Sequence, residues 1–142
     1  MASDEAIREL AASVAARADE RMEAFAIHEA IAAIWELVDA LNGYITEHEP
    51  WALAKNPAQR ARLGTVLYTA TEGLRVLAEL LAPVVPLATN KLWAALGAES
   101  MLSALDEQPL RDAAVWGKLA PGTEQQPLAV LFPRIEADET GK

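Results

Sequence analysis

The run Ile27-His28-Glu29-Ala30-Ile31-Ala32-Ala33-Ile34-Trp35-Glu36-Leu37-Val38-Asp39-Ala40-Leu41-Asn42-Gly43-Tyr44-Ile45 decides the fold. Its apolar residues Ile27, Ile31, Ile34, Val38, Leu41 and Ile45 step by 4, 3, 4, 3 and 4, which puts one continuous stripe on a helix of about six turns. Phe25, Ala30 and Trp35 widen that stripe. Pro50 ends the helix, because the residue before a proline is pushed out of the α region.

Helical spacing continues on both sides. From Asp4 to Arg21 an Ala-rich stretch carries Ile7, Leu10 and Val14 three and four apart, with Ser3 or Asp4 as its expected cap. After Asn56-Pro57, a cap followed by a first-turn proline, a second long helix carries Leu63, Val66, Leu67, Ala70, Leu74, Leu77 and Leu81. Pro83 and Pro86 bracket a turn. A shorter helix follows through Leu87, Leu92, Trp93 and Leu96 to Gly97, a C-terminal stop. From Ser100 on the pattern thins: Pro109, Pro121-Gly122 and Pro127 mark loops, and Leu128-Ala129-Val130-Leu131-Phe132 reads as one extended segment. The expected architecture is all-α. It is an up-and-down bundle of four helices, or three long and one short, over residues 1–99. An irregular extension packs on it over 100–136, and a disordered polar tail spans 137–142.

Composition bounds the function. With 142 residues, 52% of them hydrophobic, the chain is one folded domain's worth. No long apolar run and no basic, apolar leader occurs, so the expectation is a cytoplasmic protein with no membrane partner. Cysteine is absent, and His28 and His48 lie twenty residues apart, so no metal site is expected. No phosphate-loop, dinucleotide or nucleophile-elbow motif occurs, and Ser3, Ser13, Ser100 and Ser103 have no suggested histidine partner. No catalytic residue is therefore assigned, and an independent enzyme is the weakest reading. A formal charge of −9 opposes a general nucleic-acid coat but permits a small local contact.

Several residues have two readings. Glu47-His48-Glu49 reads as a solvated acidic helix end rather than a tuned histidine. Trp35 and Trp93 read as core; Trp116 is undecided. Trp51 follows Pro50 at a corner between helices, with Lys55, Asn56, Arg60 and Arg62 close behind. It is either core or a platform on which a base stacks while the cations meet phosphates.

Taken in order, Ile34-Trp35-x-Leu37, Asn42-x-Tyr44-Ile45 and Pro50-Trp51-x-Leu53-Ala54-Lys55 resemble the anticodon-binding domain of methionyl-tRNA synthetases. The series continues through Leu74-Arg75-x-Leu77, Leu80-Leu81-Ala82-Pro83-Val84-Val85-Pro86, Leu96-Gly97 and Leu131-Phe132-Pro133-Arg134-Ile135. The resemblance spans residues 20 to 136, in a bacterial, actinobacterial-like style. It implies a class I synthetase helical bundle that reads the CAU anticodon of the tRNA for methionine. Trp51, after Pro50, would stack on an anticodon base, and Lys55, Arg60 and Arg62 become candidate phosphate contacts. The family's Asn and Arg that hydrogen-bond the anticodon precede anything matched here, and neither Asn42 nor Arg60 is assigned their role.

The family's nucleotide-binding catalytic motifs and zinc knuckle are absent. The resemblance therefore implies a C-terminal piece that holds no cofactor and cannot activate methionine by itself; ATP belongs to the family's catalytic part. Uncovering a few hundred Å² of apolar stripe costs several kcal/mol, at about 25 cal/mol per Å². A marginal monomer, or a chain that pairs with itself, with the catalytic domain or with another protein through that face, is expected. The alternative function is a non-catalytic helical interaction module descended from the same domain. An exposed Trp51 beside Lys55 and Arg60 separates the first reading from the second.

Overall fold

The computed structural model describes residues 2–109, 112–113 and 115–120. Helices α1 (Ala2–Glu23), α2 (Ile27–His48) and α4 (Arg60–Leu81) run up, down and up, each packed on the other two. Between α2 and α4 lie the single turn α3 (Pro50–Leu53) and a 3-10 turn (Pro57–Gln59). The shorter α5 (Pro86–Ala95) packs back on α4, and α6 (Glu99–Leu102) and a second 3-10 turn (Leu105–Glu107) follow. No strand occurs among the described residues, and the fold is all-α as expected. The expected extended segment at Leu128–Phe132, the Leu131–Ile135 motif and the tail 137–142 lie outside the described residues.

The punctuation follows local chemistry. Asn56 Oδ1 accepts from the Ala58 N–H at 3.0 Å and opens the 3-10 turn that leads into α4. Gly97 takes φ 74° after α5, where its N–H and that of Ala98 donate back to Ala94 and Trp93, closing the last turn. By contrast, α1 is already helical at Ala2, so Ser3 and Asp4 sit inside its first turn and neither caps it. Phe25 is not part of the α2 stripe either. It occupies the α1–α2 connection at φ 58° and is 88% exposed.

The stripe on α2 is rotated from its expected position. Ala30, Ala33, Ile34, Leu37, Leu41 and Tyr44 are buried, whereas Ile27 is exposed and Ile31, Val38 and Ile45 are half-buried. The cause is small-residue packing: Ala11, Ala15 and Ala18 on α1 let α2 approach with its own alanines inward. That rotation leaves Trp35 54% exposed, so its expected core placement is corrected. Gly73 allows α4 an equally close approach, since a Cβ there would lie 2.6 Å from Leu41 Cδ2. Trp93, 1% exposed, anchors a second core with Ala78, Leu96, Leu105 and Leu119, and its Nε1 donates to the Ser103 carbonyl at 3.0 Å. Apolar side chains remain exposed on the flanks of two long helices, Ile27 and Trp35 on α2 and Leu67 on α4.

The second half of α4 carries charges inside the protein. Arg75, fully buried, donates to Glu72 at 2.9 Å and to Glu79 at 3.0 Å. Its Nη2, which also meets Glu72, donates to the carbonyls of Ala113 (3.2 Å) and Val115 (2.8 Å). Glu72 accepts from the Gly117 and Leu119 N–H groups at 2.9 Å each, and Tyr68 donates to the Leu119 carbonyl at 2.7 Å. This network straps Ala113 and residues 115–119 onto the bundle, with Trp116 half-buried against the main core. Nothing in the hydrophobic spacing marked it, although Glu72 and Glu79 at i−3 and i+4 from Arg75 form the signal that a ladder of ion pairs leaves on a helix.

Candidate nucleic-acid interface

α2 closes on Glu49, which takes a left-handed conformation (φ 43°, ψ 64°) and donates its N–H to the Ile45 carbonyl at 3.0 Å. Pro50 bars the chain from continuing α2 and sits at the first position of α3, where its missing N–H costs nothing. The Glu49 carbonyl accepts from Ala52 (2.8 Å) and Leu53 (3.1 Å), so a single residue joins the helix to the turn that carries Trp51. Leu53 packs against the main core and fixes the inner side of that turn. Trp51, on the outer side, is 55% exposed.

Among the basic residues behind it, Lys55 and Arg60 are exposed and make no ion pair among the described residues. Arg62 is placed differently. Its guanidinium grips Asp4 in the first turn of α1, with Nη1 at 2.6 Å and Nη2 at 3.1 Å. The Tyr44 hydroxyl donates to the same carboxylate. The Arg62 bond holds the Asp4 carboxyl far below the usual carboxylate range, against the opposing effect of burial. Burial first, then the Asp4 contact, push the Tyr44 phenol up to about 12.

His48 completes this cluster. Its ring packs on Tyr44 with centroids 4.5 Å apart, tilted by 55°, and its Nδ1 lies 3.3 Å from Arg62 Nη2. The solvated acidic end expected of Glu47-His48-Glu49 is therefore half right: both glutamates are exposed, but the histidine is partly buried and in contact with two helices. Asp4, Tyr44, His48 and Arg62 thus tie the ends of α1, α2 and α4 together beneath the Pro50–Trp51 turn. Trp51, Glu47, Glu49, Lys55 and Arg60 are all exposed within the stretch 47–60 that joins α2 to α4, and the two cations make no ion pair among the described residues. Such a surface can stack a flat ligand while contributing little net charge.

Residues 4–131 match the anticodon-binding domain of tRNA ligases. The chain belongs to that family. Among similar proteins, the methionine–tRNA ligase of Streptomyces coelicolor is 45% identical over 94% of this chain and 26% of its own length. That of Deinococcus radiodurans is 42% identical over 94% of this chain and 19% of its own. The apo crystal structure of Mycobacterium tuberculosis methionyl-tRNA synthetase superposes on 97% of this chain with a TM-score of 0.83 at 31% identity, covering 27% of that protein. The chain thus spans roughly a fifth to a quarter of the proteins it matches. No helix among the described residues of this anticodon-binding domain is long and apolar enough to cross a membrane.

Proposed function

We propose that this anticodon-binding domain reads the anticodon of the tRNA for methionine, with Trp51 stacking on an anticodon base. The observation that carries the reading is the 55% exposure of Trp51 at a corner built by Glu49 and Pro50, with Lys55 and Arg60 exposed in the segment that follows it. A core tryptophan would be covered, as Trp93 is. Lys55 and Arg60 are the phosphate contacts in this reading, because Asp4 already neutralises Arg62. The aminoacylation that such recognition serves uses ATP and methionine bound by the remaining part of a ligase. The exposed apolar flanks of α2 and α4 suit docking of that part, or of another protein, and the setting is the cytoplasm.

The test is binding of the chain to a dye-labelled stem-loop carrying CAU, followed by fluorescence anisotropy against the same hairpin with another anticodon. Trp51→Ala should weaken CAU binding by the worth of one stacked base, about 1–3 kcal/mol, without altering the circular dichroism spectrum. Equal binding of both hairpins by a folded chain, unchanged in the mutant, would reject anticodon reading and leave the interaction module.

A further inference from the structure

The cluster beneath Trp51 contains a side chain that stability alone explains poorly. His48 Nε2 is shut off from solvent and has no hydrogen-bond partner among the described residues. The other ring nitrogen, Nδ1, faces Arg62 Nη2 at 3.3 Å. A guanidinium has only donors, so Nδ1 serves as the acceptor of this contact, which places the proton of a neutral ring on Nε2. The protein thus keeps the Nε2–H donor unsatisfied while using the Nδ1 acceptor. Satisfied or apolar groups are the favourable contents of such a position, and a histidine there is a poor stabiliser.

What the acceptor does follows from where it stands. His48 is the last residue of α2, and the next residue is the left-handed Glu49 that redirects the chain into Pro50 and Trp51. Arg62, held by two bonds to Asp4, is a fixed donor at the start of α4. Tyr44, one turn back on α2, backs the ring from the other side and is itself bonded to Asp4. The contact between Arg62 and His48 therefore registers the end of α2 against α4 one residue before the corner. We propose that His48 is a positioning residue for Trp51: by accepting from Arg62 it sets the direction in which the Pro50–Trp51 turn leaves the bundle. This rests on the reading of Trp51 as the stacking residue only for its consequence in RNA binding. The coupling of His48 to the indole is a property of the free protein.

Two variants separate the acceptor from the shape. His48→Asn keeps an oxygen acceptor close to the position of Nδ1, and His48→Leu fills space without one. The full chain is labelled with 5-fluorotryptophan, and its fluorine spectrum is read with the Trp51 resonance assigned by Trp51→Phe. Alongside, thermal melting and anisotropy with the CAU hairpin are recorded. His48→Leu should melt close to the parent, displace or broaden the Trp51 resonance, leave that of Trp93 unmoved, and weaken hairpin binding roughly three- to tenfold, a part of the stacking contribution. His48→Asn should restore both the resonance and the binding.

A Trp51 resonance unmoved in His48→Leu would overturn the proposal, and so would an Asn variant as defective as the Leu one, which would make the ring mere packing. The stacking reading fails separately. If Trp51→Ala binds the hairpin as the parent does while His48→Leu still moves the Trp51 resonance, positioning stands and RNA stacking does not.

Discussion

α4 takes part in two polar clusters, and they behave as opposites. Near its start Arg62 joins Asp4, Tyr44 and His48, partly open to solvent, and links the ends of three helices around an exposed tryptophan. About three to five turns later Glu72, Arg75 and Glu79 lie wholly inside, and Glu72 and Arg75 hold backbone groups of Ala113, Val115, Gly117 and Leu119. In the first cluster one carboxylate meets one guanidinium and the surroundings can relax. The second has two carboxylates around one arginine, with Lys118 3.7 Å from Glu79 as a distant fourth member. Burial raises the Glu79 pKa, and the nearby Arg75 and Lys118 only partly oppose it. The contrast teaches that charge on this helix does two jobs. One orients a surface; the other closes the core.

The largest expected effect tests the closure. Arg75→Met removes the only charge partner of buried Glu72 among the described residues and frees the carbonyls of Ala113 and Val115 together. Breaking a buried pair from one side costs about 3–5 kcal/mol, which a urea denaturation curve should show as a lower midpoint. Replacing Glu72 by leucine as well should recover only part of the loss, because the Gly117 and Leu119 N–H groups then lack their acceptor. A full recovery would mean the network is ionic only and does not hold the strap.

A smaller effect tests the tip, through pH. The Asp4 carboxyl is depressed in the folded state, so its contribution is complete above the unfolded value near 3.9 and fades as pH falls below it. Glu79 has the opposite sign. Its raised pKa means that ionisation opposes folding, so mild acid relieves that cost before Asp4 begins to lose its own contribution. Melting temperature should therefore hold or rise slightly on mild acidification and then drop below about pH 4. Asp4→Asn should cost about 1–2 kcal/mol at neutral pH and flatten the drop. A mutant whose curve runs parallel to the parent down to pH 2 would place the acid-sensitive group elsewhere.

These two clusters also mark where the sequence stopped being legible. The order of the main helices and the breaks between them came through, because prolines, Asn56 and Gly97 act locally: Pro50, Pro57 and Pro86 each open a helical turn where spacing and sterics put them. The exposure of Trp51 was separable from a core role by the family resemblance rather than by periodicity. The facing of α2 was misread, since alanines contribute little to an apolar stripe yet decide how closely two helices pack. Trp35 was assigned to the core for that reason and lies half outside. The apolar spacing of α4 says nothing of Glu72, Arg75 and Glu79, whose i−3 and i+4 placement marks ion pairing but not burial. Only the return of Ala113, Val115, Gly117 and Leu119, some forty positions along the chain, gives the arginine and Glu72 their backbone partners.

The smallest expected effect sharpens the comparison between a paired and an unpaired cation. In the stretch 47–60 that carries Trp51 the exposed charges are Lys55 and Arg60 against Glu47 and Glu49, and just beyond it Arg62 is neutralised by Asp4. At most two phosphates can then be met directly, and single-stranded contacts release about 0.7 counterion each, so the slope of log affinity against log salt should be about −1.4. Lys55→Ala with Arg60→Ala should bring that slope close to zero, with stability changed by less than about 0.5 kcal/mol. Arg62→Ala should do the reverse, lowering stability while leaving the slope almost unchanged. A parent slope steeper than about −3 would require more phosphate contacts than this end of the bundle carries, and stacking on Trp51 would then be the minor part of recognition.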